Sequence, residues 1–353
     1  STFWEKSQQL EADDIKVLIL TDDGRSLSFT NSGIKKDQDW TKHQILFNTQ
    51  ENTKMKVYFG IWGGLSGTLW LDDLSMQMVA GVNMVRRNGC PVIVTSEDGK
   101  IVYQENIDFE TWSYDKMGAD PYPGSFQISH PQPAFKLKSG SKIKEDQVLS
   151  VSFYHTVMIY EDQICACLTE EETFTHLKKQ IEQIHKYFKP KTYFMNHDEI
   201  RVAGQCELCR KSGKSAGQLL ADNVSRCEKI IKEICPEATI FVWSDMFDPF
   251  HNAVDKYYLV GSTWSGSWEG LSTNTVIANW NHSKAKESCD FFAKRGHQQL
   301  VAGYYDSDKV KENIDSWITA SANSKSVVGY MYTTWKSDYK QLENFSAIVQ
   351  KSY

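Results

Sequence analysis

The chain has 353 residues, of which 41% are hydrophobic and 12% aromatic, and a formal net charge of −6. That is ample for a buried core in one large or two medium domains, and the lack of any Lys/Arg block argues against nucleic-acid or anionic-membrane partners. No apolar run approaches the roughly 20 residues that span a bilayer, and the opening STFWEKSQQL has no charged-then-apolar pattern, so no membrane insertion and no targeting segment are expected here.

Residues 1–110 read as a β-sandwich. The runs IKVLIL, SLSFTNS, HQILFNT, MKVYFGIW and GTLWLDDLSMQMV are short, rich in strand formers and separated by Gly, Asn, Asp and Lys. DWTKHQILFNT, from Asp39, and VYFGIWGGLSGTLWLDDLSM, over 57–76, resemble the end of jelly-roll carbohydrate-binding modules. CPVIVTSEDGKIVYQENIDF predicts a hairpin turning at Glu97-Asp98-Gly99. Residues 111–144 are proline-rich and read as a linker or a long loop. The 11 Trp, 16 Tyr and 17 Phe suit sugar-stacking surfaces better than nucleic-acid grooves, or else simply fill an aromatic-rich core.

From residue 145 the period changes. QVLSVSFYHT reads as a strand and EEETFTHLKKQIEQIHKYF as an amphipathic helix, with Leu177, Ile181, Ile184 and Phe188 on one face. Strands and helices then alternate: KTYFMNHDE, AGQLLADNVSRCEKIIKEIC, ATIFVWSDMF, TVIANW, KESCDFFAKRG, QQLVAGYYD, KVKENIDSWITASA, SVVGYMYTTW and DYKQLENFSAIVQ. Strict alternation with buried strands predicts a parallel sheet. The polar and aromatic strand tips are His155; Asp198 and Glu199; Trp243 and Asp245; Trp280; Tyr304, Tyr305 and Asp306; and Trp335. Tips converging from successive strands predict a (β/α)8 TIM-type barrel over 145–353 rather than an open nucleotide-binding sheet, which would need a Gly-rich phosphate loop. Only six barrel strands can be counted. The first two are therefore missing, supplied elsewhere, or the barrel is incomplete in this chain.

YFMNHDEIRV raises the chemical question, because a buried run ends in two adjacent acids flanked by His197 and Arg201. Crowded into one pocket, two carboxyls take different protonation states. Glycosidic cleavage needs that arrangement: one acid donates to the leaving oxygen while an anion steadies the developing cation. The bland alternative is a solvated loop, or an ion pair with Arg201.

The series of tips resembles the catalytic barrel of family-twenty glycoside hydrolases, the β-N-acetylhexosaminidases. That family ends its fourth strand in an Asp-Glu pair, here Asp198-Glu199, and carries tryptophans on its fifth, sixth and eighth strands, here Trp243, Trp280 and Trp335. GYYD stands for its seventh-strand tip. The resemblance implies Glu199 as general acid and Asp198 as the group orienting a 2-acetamido group, whose carbonyl attacks the anomeric carbon. It further implies that the three indoles wall the acetamido pocket, that Tyr304 or Tyr305 binds the acetamido oxygen, and that Asp306 binds sugar hydroxyls. His155, His197 and Asp245 complete the expected substrate contacts. The glycines that the family places before the pair are replaced by Met195-Asn196-His197, and its first-strand arginine has no counterpart. The expected activity is exo-acting, retaining hydrolysis of an oligosaccharide or glycoconjugate.

Two other readings stand beside it. Glu269, in GSWEGL within an insertion whose KYYLVGSTWSGSW reads as a hairpin lid, could be a protein nucleophile; or the chain could bind carbohydrate without catalysis. Of eight cysteines, CAC (Cys165, Cys167) and CELC (Cys206, Cys209) have spacing suited to a structural zinc, to disulfides or to free thiols. Cys227 and Cys235 read as buried small apolar groups. No cofactor is expected to be required.

Overall fold

The computed structural model describes residues 1–12, 14–114, 130–160, 163–306, 308–322 and 324–352. The middle of the expected linker, 115–129, lies outside the described residues. The protein is mixed α/β, in two compact units: Ser1–Cys165 with Cys206–Lys211, and Ala166–Gln205 with Ser212–Tyr353.

The first unit is built from antiparallel sheets. Its strands are β1 (Thr2–Glu11), β2 (Asp14–Thr21), β3 (Ser26–Asn31), β4 (Gln38–Gln44), β5 (Met55–Trp62), β6 (Ser66–Ser75), β7 (Met84–Val85), β8 (Ile93–Ser96), β9 (Val102–Tyr103), β10 (Leu149–Ser152) and β11 (Tyr154–His155). Two three-stranded sheets, β4-β1-β6 and β3-β2-β5, meet where Phe3 packs edge-on against Phe59. Period-two alternation accounts for β2, whose Ile15, Val17 and Ile19 are all buried. The hairpin expected near Gly99 forms: β8 pairs with β9, and Gly99, at φ +72°, supplies the left-handed turn residue.

One expected element belongs elsewhere. QVLSVSFYHT does not enter a parallel sheet; β10 pairs antiparallel with β8, and β11 with β7. Its apolar side packs with Met84, Val94, Tyr103, Phe109 and Trp112.

The second unit contains α1 (Glu171–Phe188), β12 (Thr192–Phe194), β13 (Val202–Ala203), α3 (Ala216–Ile234), β14 (Thr239–Trp243), β15 (Leu259–Val260), β16 (Val276–Asn279), α4 (Ala285–Lys294), β17 (Gln299–Tyr304), α5 (Val310–Ser321), β18 (Val327–Thr333) and α6 (Leu342–Ser352); the short α2 (Glu207–Lys211) lies with the first unit. Five parallel strands run in the order β12-β14-β16-β17-β18, so five strands, not six, form the sheet among the described residues. Helix α3 begins at a capping box, where Ser215 and Gln218 satisfy each other's main-chain N–H groups. It buries Leu220 and Val224 with Val242, Ile277, Phe247 and Phe292. Each such side chain contributes about 1.5–3 kcal/mol relative to exposure. Helix α1 is less embedded than its pattern predicts: Phe174 is buried, whereas Ile184 and Phe188 on the expected apolar face are exposed.

The long segment between β14 and β16 is clamped to α3 rather than standing free. Gly217 N–H donates to Thr263 O, and a Cβ on Gly270 would lie 2.0 Å from Ala221 O. No hairpin lid forms there; β15 pairs in parallel with β13, and residues Ser267–Gly270 make a 3-10 turn.

Candidate active site

The acidic pair sits at the carboxyl end of the edge strand β12. Past Phe194, Met195 N–H still donates to Phe241 O, 2.8 Å away, and then the chain turns sharply. Asn196, His197 and Glu199 all have positive φ, at 56°, 61° and 45°. For residues other than glycine this conformation costs roughly 1–2 kcal/mol each. It persists because neighbours grip the turn. Trp243 N–H donates to Asn196 O at 3.2 Å, and His197 donates from Nδ1 to Met195 O at 2.8 Å. The other ring nitrogen of His197 lies 3.0 Å from Asn223 Oδ1, while Asn223 Nδ2 donates to Leu168 O. Donation from both ring nitrogens would need the imidazolium, and burial pushes His197 the other way. His197 is thus a brace for the turn.

Asp245 follows β14, at the start of a 3-10 turn, and is wholly buried. Its Oδ2 accepts from Glu199 N–H at 2.8 Å and from Asn252 Nδ2 at 2.8 Å. Its Oδ1 accepts from Trp280 Nε1 at 3.3 Å. Burial pushes its carboxyl up to about 7, the charge of Asp198 adds to this, and the three donors resist it.

Glu199 points its carboxylate at Arg201, with Oε2 2.8 Å from Nη2. The Arg201 side chain is only 3% exposed and that of Glu199 39%. The ion pair that the sequence offered as the bland reading therefore forms, and the site has to be understood with it in place. Arg201 also lies over the Tyr258 ring, 5.4 Å from its centroid. It is held there because Leu259 N–H donates to Arg201 O and Gly261 N–H to Ala203 O, so the β13–β15 pair folds the segment after β14 back onto the segment after β12. Burial, with the charges of Glu199 and Asp245, pushes the nearby Tyr257 phenol up, against Arg201. Asp198 is exposed.

The aromatic tips form two groups. Trp243 packs on Phe194, with centroids 4.9 Å apart. The Trp280 ring meets His251 edge-on at 4.4 Å, and its main-chain N–H donates to Ser244 Oγ. Burial pushes His251 down, while the charges of Asp248 and Glu199 oppose that shift. The second group joins β17 and β18: Tyr304 packs on Trp335 at 5.2 Å, and both are exposed. Asp306 accepts from Trp335 N–H at 2.6 Å, from Lys336 N–H at 3.0 Å and from the Thr334 hydroxyl. Its carboxylate therefore organises this loop. Tyr305 points into the core instead, 1% exposed, against Tyr332 and Phe345. The choice between the two tyrosines is settled by strand alternation in favour of Tyr304 as the outward one.

Two expected residues, His155 and Glu269, are not part of this arrangement. His155 is on β11 of the first unit; Asn48 Nδ2 donates to its Nε2 at 2.8 Å and its Nδ1–H donates to Thr156 O at 3.1 Å, leaving it a satisfied structural ring. Glu269 is paired with Arg295 at 3.0 Å and lines a surface cleft of about 550 Å³ with Lys214, Ser215, Gln218 and Asp222. Asp248 accepts from Phe250 N–H, Asn281 Nδ2 and Ser288 Oγ, which ties the turn after β14 to the segment after β16 and to α4.

None of the eight cysteines is in a disulfide. Within the first unit the Sγ atoms of Cys206 and Cys209 are 3.6 Å apart. Burial pushes Cys227 up to about 11 and Cys289 up to about 12, which suits inert core thiols.

No family model matches the chain, and no curated protein matches it either. The residues that sequence reasoning did not assign to the site are His251, Asn252, Tyr257 and Tyr258. All come from one segment without strand or helix periodicity, and FDPFHNAVDKYY offered only its density of aromatic and amide groups as a signal.

Proposed function

We propose that the second unit is the catalytic part of a glycoside hydrolase, its parallel sheet forming an arc of a (β/α)8 barrel. The reaction is retaining, exo-acting cleavage of a terminal N-acetylhexosamine or related sugar. The 2-acetamido oxygen attacks the anomeric carbon as the bond to the leaving oxygen breaks, and Glu199 gives that oxygen its proton. Water then opens the cyclised intermediate, returning a proton to Glu199. Asp198 orients the acetamido N–H, Trp243 and Trp280 wall the pocket, and Tyr304, Asp306 and Trp335 bind further hydroxyls and sugar faces. Arg201 steadies the carboxylate that remains after proton donation.

The observation that carries this reading is the convergence at one sheet edge. The acid-bearing turn after β12 and the indole after β16 are joined through a single buried carboxylate, with a second indole beside them. A screen of aryl glycosides, including N-acetylglucosaminide and N-acetylgalactosaminide, on wild type and Glu199→Gln tests it. The variant should lose about 10²–10⁴-fold in turnover while still binding a thiazoline mimic of the intermediate. Hydrolysis of substrates lacking the 2-acetamido group at an equal rate would sink substrate assistance.

A second reading, a carbohydrate-binding protein without catalysis, draws on the Glu199–Arg201 pair. A carboxylate already held by a guanidinium is well suited to accept hydroxyl hydrogen bonds. In that case Glu199→Gln changes affinity and no glycoside is turned over. For the first unit we propose an accessory carbohydrate-binding role. For the CAC and CELC pairs we propose, from their spacing in the sequence, a structural zinc on Cys165, Cys167, Cys206 and Cys209. Metal analysis of the purified protein should find one zinc per chain, lost in Cys209→Ser; its absence from wild type would dispose of the site.

A further inference from the structure

We propose that Asp245 is the positioning residue of this site, fixing the backbone of Glu199 and the indole of Trp280 with one carboxylate. The inference rests on the hydrolase reading for its kinetic consequence, but its structural core does not. Every polar group that meets the Asp245 side chain is a donor: the Glu199 amide, the Asn252 side-chain amide and the Trp280 indole. The ionised carboxylate only accepts, so it satisfies all three; an asparagine would bring an NH2, and the protonated acid its O–H, against one of them. Complete burial leaves Asp245 no surface from which to touch a substrate, so it acts through its partners.

What it fixes is worth fixing. Glu199 is in the left-handed region at φ 45°, a conformation that persists only where the surrounding structure holds it. Its amide is held by Asp245, so the carboxyl inherits its direction from a residue 46 positions away. The adjacent Ser244 holds the main chain of Trp280 while Asp245 holds its ring. Neighbouring residues just after β14 thus set both the proton donor and a pocket wall, and a shift in one carries to the other. Positional errors of about 1 Å at a reacting group can cost on the order of 10²-fold in rate.

The test compares wild type, Asp245→Asn and Trp280→Phe, which removes the indole N–H donor together with part of the ring. Measurements are kcat and KM on an N-acetylglucosaminide, and amide exchange by mass spectrometry over residues 195–203. For Asp245→Asn the expectation is a kcat about 10²-fold lower per folded molecule, a smaller change in KM, and faster exchange at the Glu199 amide. Trp280→Phe should chiefly raise KM. A merely structural aspartate would lower the folded fraction while leaving kcat per folded molecule within about threefold of wild type, and that result overturns the proposal. If wild type hydrolyses no glycoside, the hydrolase reading fails and exchange alone decides. Faster exchange in Asp245→Asn then supports the clamp, and unchanged exchange refutes it.

Discussion

The ion pair between Glu199 and Arg201 allows a worked prediction, because its two ends differ in burial. Arg201 is 3% exposed and its carboxylate partner is 39% exposed. Breaking a fully buried pair from one side costs about 3–5 kcal/mol, since the remaining charge stays desolvated and unpaired. An exposed pair is worth about 0–1 kcal/mol. Glu199→Gln leaves the buried member behind, yet its amide oxygen can still accept a hydrogen bond; about 2 kcal/mol of destabilisation follows from interpolating between these cases. Arg201→Met leaves the half-exposed carboxylate, which water can reach, and should cost less through charge, about 1 kcal/mol, with packing against Tyr258 as an addition. The double variant should fall short of the sum by about 1 kcal/mol or more, as contacting residues do. Hydrogen exchange of β14 and β16 against urea reads the unfolding of this unit separately from the other. Glu199→Gln within about 0.5 kcal/mol of wild type, or single-variant effects that simply add, would refute the reasoning.

Asp245, raised to about 7 in the folded chain from an ordinary 3.8, is a group whose folded state binds the proton more tightly than the unfolded one. Its contribution to stability is therefore present below about 3.8 and is lost as pH rises through about 7. Between pH 5 and pH 8 the urea midpoint of β14 and β16 exchange should fall more for wild type than for Asp245→Asn; parallel falls would count against it. Gly270→Ala puts a Cβ 2.0 Å from Ala221 O and should destabilise the unit by about 1–3 kcal/mol, read as faster exchange in both α3 and the 267–270 turn; an unchanged exchange profile would contradict the close approach. Tyr305→Phe should leave turnover untouched because the ring is core, whereas Tyr304→Ala should weaken substrate binding; the reverse pattern would mean that β17 presents the other face.

What could be read from the sequence was what depends on local pattern. The run TYFM before NHDE marks a strand meeting its polar end, and the structure places the acids at that end, although Tyr193 is the one buried residue of β12. Alternation from 171 onward gave helices and parallel strands because each period is local. The strand at 149–152 was misplaced because a short β-rich run does not carry its partner within it; pairing with β8 rather than with a parallel neighbour is a tertiary choice. The two tyrosines of GYYD differ by one residue, so only the observed register separates Tyr304 from Tyr305. His251, Asn252 and Tyr257 were missed because a loop's contribution depends on where its fold-back lands, here on the β13–β15 pair.

The strained turn also bears on why the acids are where they are. Three left-handed residues within four positions cost roughly 3–6 kcal/mol together, while each hydrogen bond gripping them returns only about 0.5–1.5 kcal/mol net. Stability alone would favour glycine at such positions, so a glutamate at φ 45° fits the role proposed for its side chain. Glu199→Gly and Glu199→Ala remove the same carboxylate and leave the same unpaired Arg201; they differ in whether the left-handed backbone is strained. The glycine variant should therefore be the more stable by about 1 kcal/mol, measured by the same exchange of β14 and β16. An alanine variant as stable as the glycine one, or more so, would mean that the turn is relaxed and that the acid needs no compensation for its place.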